Sequence, residues 1–135
     1  MANIDLFENF EKNISFKITE DIYKAFQECS SDLNPLHIDE EFARNKGFLG
    51  RVMYGNILNA FISYAIGMEL PTVDVMLQLQ DIQYKKPVYL RDKLTMNLKT
   101  EEIHEAVHVV VFTYKFTNEQ NKLVAKGHIQ IGVFE

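Results

Sequence analysis

A single cysteine, Cys29, stands in a chain of 135 residues. One thiol excludes an intramolecular disulfide and fits a reducing compartment. It shares a helical run with Ile22, Tyr23 and Phe26, a pattern that predicts a buried, inert thiol. No stretch reaches the roughly 18 apolar residues of a membrane-spanning helix. Asp5, Glu8 and Glu11 crowd the first residues with acid, where a secretory signal would carry base ahead of an apolar core. A soluble, cytoplasmic protein is expected. Positive charge is in deficit: 14 Lys and Arg against 19 Asp and Glu leave a net charge of −5, which speaks against nucleic acid as a partner. With no second Cys and no clustered His, no metal site is expected. His104 and His108 are four positions apart, but along a strand or hairpin end that spacing is about 13 Å, too far to share a zinc. His128 stands alone in a strand. There is no internal repeat, linker or low-complexity segment.

What is present is ordinary for a globular domain: 47% apolar and 24% charged residues, enough chain to bury one real core. Residues 1–135 read as a single domain. Ile14 to Ile18 alternates like a strand. Thr19 then caps a helix running to about Ser30, with Ile22, Tyr23, Phe26 and Cys29 at three-to-four spacing. Gly55 to Gly67 is apolar round most of its circumference, which predicts a helix enclosed by other structure. After Pro71 the period becomes two: Val73, Val75, Leu77 and Leu79, then Leu94, Met96 and Leu98, then Val107, Val109 and Val111. Leu123, Ala125, Ile129 and Ile131 complete the set, interrupted by Gly127. Asn118 to Asn121 reads as the turn between the last two strands. Strands in succession, with no helices left for parallel crossovers, predict an antiparallel α+β domain.

The run Ser31-Asp32-Leu33-Asn34-Pro35-Leu36-His37-Ile38-Asp39 carries the chemistry. Pro35 fixes its own φ and pushes Asn34 out of helical space, so the preceding helix must stop and the backbone re-aims the next side chains. An acid, Asp32, and an imidazole, His37, sit five positions apart on that stiffened turn. Together they can grip one water and share its protons, the minimum equipment for adding water to an activated double bond or removing it. The same residue types also build ordinary helix-ending turns. Calcium is excluded: an EF-hand begun at Asp32 would need Gly at His37 and Glu at Ala43. Asp39 to Lys46 then reads as a short helix with acids in its first turn and bases in its last, closed by Gly47.

At this point the chain resembles the MaoC-like acyl dehydratases and (R)-specific enoyl-CoA hydratases. Their signature is similar to S-G-D-x-N-P-x-H-x-D, then F-A, a Phe, and a V-H-G that opens a buried helix. Asp32, Asn34, Pro35, His37, Asp39, Phe42, Ala43, Phe48 and Gly55 fall in place without a gap, and Ser63 occupies a position where related hydratases carry Ser. Tyr84 to Asp92 resembles the family's later F-x-x-P-V-x-x-G-D. Three residues depart from the pattern: Ser31 and Arg91 stand where the family has Gly, and Tyr54 where it has His.

The resemblance implies a hotdog fold, a curved antiparallel sheet wrapped around one long helix, and a homodimer that joins sheet edges. It implies reversible hydration of a 2-enoyl thioester of CoA or acyl-carrier protein, with no cofactor beyond the CoA or phosphopantetheine of the substrate. Asp32 and His37 are then the joint acid and base, and the Gly55 N–H is the oxyanion donor at the start of the central helix. Asn34 orients the loop and bonds one of the pair, while Ser63 faces inward to position imidazole or substrate. Tyr54, beside the oxyanion donor, either adds a phenolic donor for substrate or fills the space of the usual His. Lys85, Lys86 and Arg91 form a small basic patch, read either as a solvated edge or as a handle for the substrate's phosphates. Tyr84, Tyr89, Phe112, Tyr114 and Phe116 are expected in the core or at a subunit interface, with one or two of them as alternative lining for an acyl tunnel. Two rival readings share the fold: a thioesterase attacking the carbonyl rather than C3, and a subunit that binds acyl thioesters without catalysis.

Overall fold

A computed structural model describes residues 2–135. A short 3-10 turn over Asn3–Phe7 leads into β1 (Glu11–Lys17), then α1 (Glu20–Ser30), α2 (Pro35–Ile38), α3 (Glu40–Asn45) and α4 (Ile57–Met68). Five strands come next: β2 (Val75–Gln80), β3 (Gln83–Tyr84), β4 (Lys93–His104), β5 (Val109–Thr117) and β6 (Leu123–Val133). All pair antiparallel in one sheet of order β1-β4-β5-β6-β2, with the two-residue β3 also on β6.

Local chemistry sets the ends. Thr19 Oγ1 accepts the Ile22 N–H at the start of α1, and Asp39 Oδ1 accepts the Phe42 N–H at the start of α3, the bonds expected of N-caps. Gly47, at φ +94°, takes the left-handed turn after α3. Asn121, at φ 58°, turns the β5–β6 hairpin, and Asn118 Oδ1 accepts the N–H groups of Gln120 and Lys122 inside it.

Register aligns one apolar face. Ile14 lies opposite Met96, Met96 opposite Phe116, and Phe116 opposite Ala125. That face packs on α4 through Ile57, Leu58, Phe61, Ile62, Ala65 and Ile66, all buried. Each large aliphatic side chain so enclosed contributes about 1.5–3 kcal/mol. Phe16 of β1 stacks on Phe61 of α4 with centroids 4.3 Å apart.

Four expectations need correcting. The helix α4 is not enclosed: Ala60, Ser63, Tyr64 and Gly67 are not buried, because the sheet covers one side only. In β5 the opposite phase is buried, Val110, Phe112, Tyr114 and Phe116, while Val107 falls in a 3-10 turn and lies in solvent. The aromatics fill the space over α4 better than the valines, since volume decides between two apolar phases. The strand expected from Val73 begins at Val75, is bulged between Leu77 and Leu79, and leaves Val73, Met76, Leu77 and Leu79 exposed on the sheet edge. Cys29 is exposed at the end of α1 rather than buried.

Gly127 interrupts β6 for a reason of contact: a Cβ there would lie 2.1 Å from the Asp81 carbonyl oxygen, which accepts the Tyr114 hydroxyl at 2.6 Å. His104 and His108 flank the Glu105–Val107 turn and face different carboxylates, Glu102 and Glu135. Among the described residues no group of His, Cys, Asp or Glu is placed to hold a metal, and no helix is long and apolar enough to cross a membrane.

Candidate active site

The end of α1 is built as the sequence requires. Ser31 closes the helix in the left-handed region (φ 57°, ψ 22°), its N–H returning to the Gln27 carbonyl. Asp32 then makes an Asx turn: its Oδ1 accepts the Asn34 N–H at 3.0 Å. The Asn34 side chain accepts the Leu36 N–H at 2.9 Å and caps α2, with Pro35 in its first turn. Asn34 thus holds the pair through its main chain, and its side chain serves α2.

The turn brings His37 back towards Asp32. Nδ1 of His37 lies 2.7 Å from the Val52 carbonyl oxygen. A carbonyl can only accept, so Nδ1 carries the proton, and Nε2 of the neutral ring offers a lone pair. Nε2 faces Asp32 Oδ2 at 4.0 Å. Two hydrogen bonds of about 2.8 Å from one water oxygen span such a gap. A water donating one proton to each acceptor would present its own lone pair outward, oriented for attack.

Behind the pair lies an aromatic wall. Tyr54 is buried, stacks on the imidazole at 4.3 Å between centroids, and donates its hydroxyl to the Asp32 carbonyl at 2.6 Å. Of the two readings of Tyr54, this geometry favours the one in which it fills the space of the usual His, since its one proton is engaged by the loop carbonyl. Tyr23 of α1 donates to the His37 carbonyl at 2.5 Å, with the Val52 carbonyl at 3.1 Å. Burial pushes the Tyr23 phenol up to about 12, against a smaller lowering by the Arg51 guanidinium over its ring. Burial raises the Tyr54 phenol too, helped by the Asp32 charge. Neither Tyr23 nor the Val52 carbonyl is singled out by sequence, because nothing local marks either as a partner of His37.

Just past Val52 the chain reaches Gly55. The N–H groups of Ile57, Leu58 and Asn59 return to the carbonyls of Tyr54, Gly55 and Asn56, so α4 opens with three-residue turns. Among the described residues the Gly55 N–H finds no acceptor, an orphan donor at a helix start. Gly55 lines a cavity of about 350 Å³ walled by Phe48, Val52, Met53, Leu58, Val88 and Val124, with Lys85 and Lys86 on its rim. The size suits a small apolar ligand. A Cβ at position 55 would meet the Tyr84 ring at 3.0 Å.

Other expected site residues lie elsewhere. Ser63 does not face inward: it is exposed on the open side of α4 and touches neither Asp32 nor His37 in this chain. The basic patch is split, because Arg91 sits in a separate cleft near Glu20, 4.0 Å away, while Lys85 and Lys86 stay beside Gly55.

A family model described as a MaoC like domain matches residues 6–120. The chain belongs to the MaoC-like family. Among its relatives is the (R)-specific enoyl-CoA hydratase of Aeromonas caviae, 27% identical over 103 residues, which are 76% of this chain and 77% of that protein. A mitochondrial 3-hydroxyacyl-[acyl-carrier-protein] dehydratase of Arabidopsis thaliana is 32% identical over 108 residues, 78% of this chain and 63% of that protein. Among solved structures, an R-hydratase of Pseudomonas aeruginosa superposes with a TM-score of 0.85 at 28% identity, over 94% of this chain and 81% of that one. The (R)-hydratase of A. caviae superposes at 0.86 with 23% identity, over 93% and 96%, a likeness of fold. The fold is therefore the hotdog. Of the departures from the MaoC-like pattern, Ser31 (φ 57°) and Arg91 (φ 74°) both hold the left-handed conformation a Gly would take there. The turns survive the loss of their glycines.

Proposed function

We propose that this protein is an acyl-thioester hydro-lyase that reversibly adds water across the 2,3 bond of a 2-enoyl thioester of CoA or acyl-carrier protein. One observation carries the reading: Asp32 Oδ2 and His37 Nε2 face each other across 4.0 Å, the imidazole locked from behind by Val52. In hydration, the bridging water attacks C3 while one of the pair takes its proton. The C2–C3 π electrons move towards the thioester carbonyl, whose oxygen becomes an enolate held by the Gly55 N–H. A proton delivered from the pair to C2 completes the 3-hydroxyacyl product, and dehydration runs the same steps in reverse. The two groups act jointly, since coupled sites have no separately readable proton roles. Positioned acid–base catalysis supplies about 10²–10⁴-fold, and an oxyanion donor about 3–4 kcal/mol. Every step is proton transfer or addition of water, so the reaction calls for no cofactor beyond the CoA or phosphopantetheine that arrives with the acyl group.

The cavity beside Gly55 supports an acyl-side pocket, and Lys85 and Lys86 on its rim suit the phosphates of the thioester's arm. A second copy of the chain is the expected partner. The exposed edge of β2 and the small residues Ala60, Ser63 and Gly67 on the open side of α4 favour a homodimer that extends the sheet and covers the helix. Ser63 would then lie within that interface. Residues 2–135 are read as a single domain, and an exposed Cys29 favours the reducing cytoplasm. The test is crotonyl-CoA with purified protein, following loss of the enoyl-thioester absorbance alongside a thiol reagent. Loss of absorbance with no free thiol is expected. Free thiol appearing first would make the protein a thioesterase instead.

A further inference from the structure

Each member of the acid–base pair is held twice. A neighbouring backbone group holds its side chain: the Asn34 N–H on Asp32 Oδ1, the Val52 carbonyl on His37 Nδ1. A buried phenol holds its main chain: Tyr54 on the Asp32 carbonyl, Tyr23 on that of His37. The second set matters because, beyond one backbone bond from the Val52 N–H to the Leu36 carbonyl, little else ties the loop to the body of the protein. Ser31, Leu33 and Asn34 are exposed, so the chain around Asp32 packs poorly on the body of the protein. The two phenols, with rings 5.1 Å apart, tie that loop to α1 on one side and to the 52–55 strip on the other.

We propose that Tyr23 and Tyr54 are positioning residues that set the 4.0 Å gap between Asp32 and His37 through the main chain of the pair, Tyr54 also fixing the plane of the imidazole by stacking. The assignment rests on the hydratase reading of the same pair. It explains how the chain keeps its gap with Tyr where the family pattern has His: the phenol reaches past the imidazole to the loop carbonyl. The geometry tolerates little error. At 4.0 Å one water bridges both acceptors with bonds of ordinary length, whereas misplacement by about 1 Å in such a site costs on the order of 10²-fold.

The test uses Tyr23→Phe and Tyr54→Phe, which keep the rings and remove only the hydroxyls. Two readouts are taken: kcat and KM for crotonyl-CoA, and amide hydrogen exchange at Asn34 and His37. The expected result is kcat lowered about 10- to 100-fold with KM within about threefold, and exchange at those two amides at least about tenfold faster while amides of β5 keep their parent rates. Ile14→Val in β1, destabilising and remote from the loop, should leave both readouts alone. A parent-like kcat or parent-like exchange in both phenylalanine variants overturns the proposal. If the parent shows no hydration at all, the hydratase reading fails by itself, and the exchange rates alone decide whether the phenols hold the loop.

Discussion

Replacing Ser31 with Gly should make the protein more stable, although it removes atoms. Ser31 sits at φ 57°, ψ 22°, where a Cβ crowds the following carbonyl at about 1–2 kcal/mol. Its hydroxyl makes no hydrogen bond among the described residues that the change would break. Glycine relieves the crowding but gives the unfolded chain more freedom, worth roughly 0.5–1 kcal/mol against folding. The difference is a net gain of up to about 1.5 kcal/mol, centred near 0.75. The same reckoning applies to Arg91 at φ 74°, because the ion pair that Gly would lose, 4.0 Å to Glu20 with both side chains mostly in solvent, is worth close to nothing. The two turns share no partner, so Ser31→Gly with Arg91→Gly should add to about 1–2 kcal/mol. For a domain of this size that raises Tm by roughly 3–8 °C. Thermal unfolding of the singles, the double and a Ser31→Ala control reads it directly. Ala keeps the Cβ and should gain nothing. A Ser31→Gly protein less stable than its parent, or an Ala variant equally stabilised, would refute the argument from backbone crowding.

Gly55→Ala drives a Cβ to 3.0 Å from the Tyr84 ring; that ring is half exposed and can swing aside. Stability should therefore fall by less than about 1 kcal/mol, while hydration kinetics fall by at least about tenfold as the new methyl crowds the cavity beside the orphan amide. The proposed homodimer predicts a dimeric parent in analytical ultracentrifugation and a monomeric Leu79→Lys variant, since a charge on the open edge of β2 opposes edge-to-edge pairing. At high pH the buried phenols matter. Tyr23 is pushed up from 10 to about 12, so the folded state holds that proton more tightly than the unfolded chain. The resulting stability is full below about pH 10 and is lost as pH rises towards 12. Tyr23→Phe should flatten that loss in denaturant titrations, and an identical decline in the variant would count against it.

The turn that carries the proposed pair is written within a few residues and was legible. Asp32, Asn34, Pro35 and His37 act through a turn and two caps, all local devices, and Thr19, Asp39 and Gly47 mark helix ends for the same reason. What depends on distant chain was not. The Val52 carbonyl carries no side-chain signal, and Tyr23 reads as one more apolar helix residue until α1 is laid beside the 52–55 strip. The open side of α4 escaped because Ala60, Ser63 and Gly67 are compatible with burial or exposure, so periodicity alone saw only a helix apolar all round. In β5 both phases are apolar, and side-chain volume over α4 chose Phe112, Tyr114 and Phe116. Cys29 follows the apolar spacing of α1 but sits beyond the reach of the core, on the last turn.

The decisive measurement compares crotonyl-CoA hydration by the parent with that by Asp32→Asn and by His37→Ala, each checked for folding by its unfolding transition. A hydratase that bridges water across this gap should lose at least about 10²-fold in kcat in either variant, and the double variant should lose little more than the worse single, because the two groups act as a unit. Hydration that survives either substitution at near-parental rate would contradict the assignment of the chemistry to this pair.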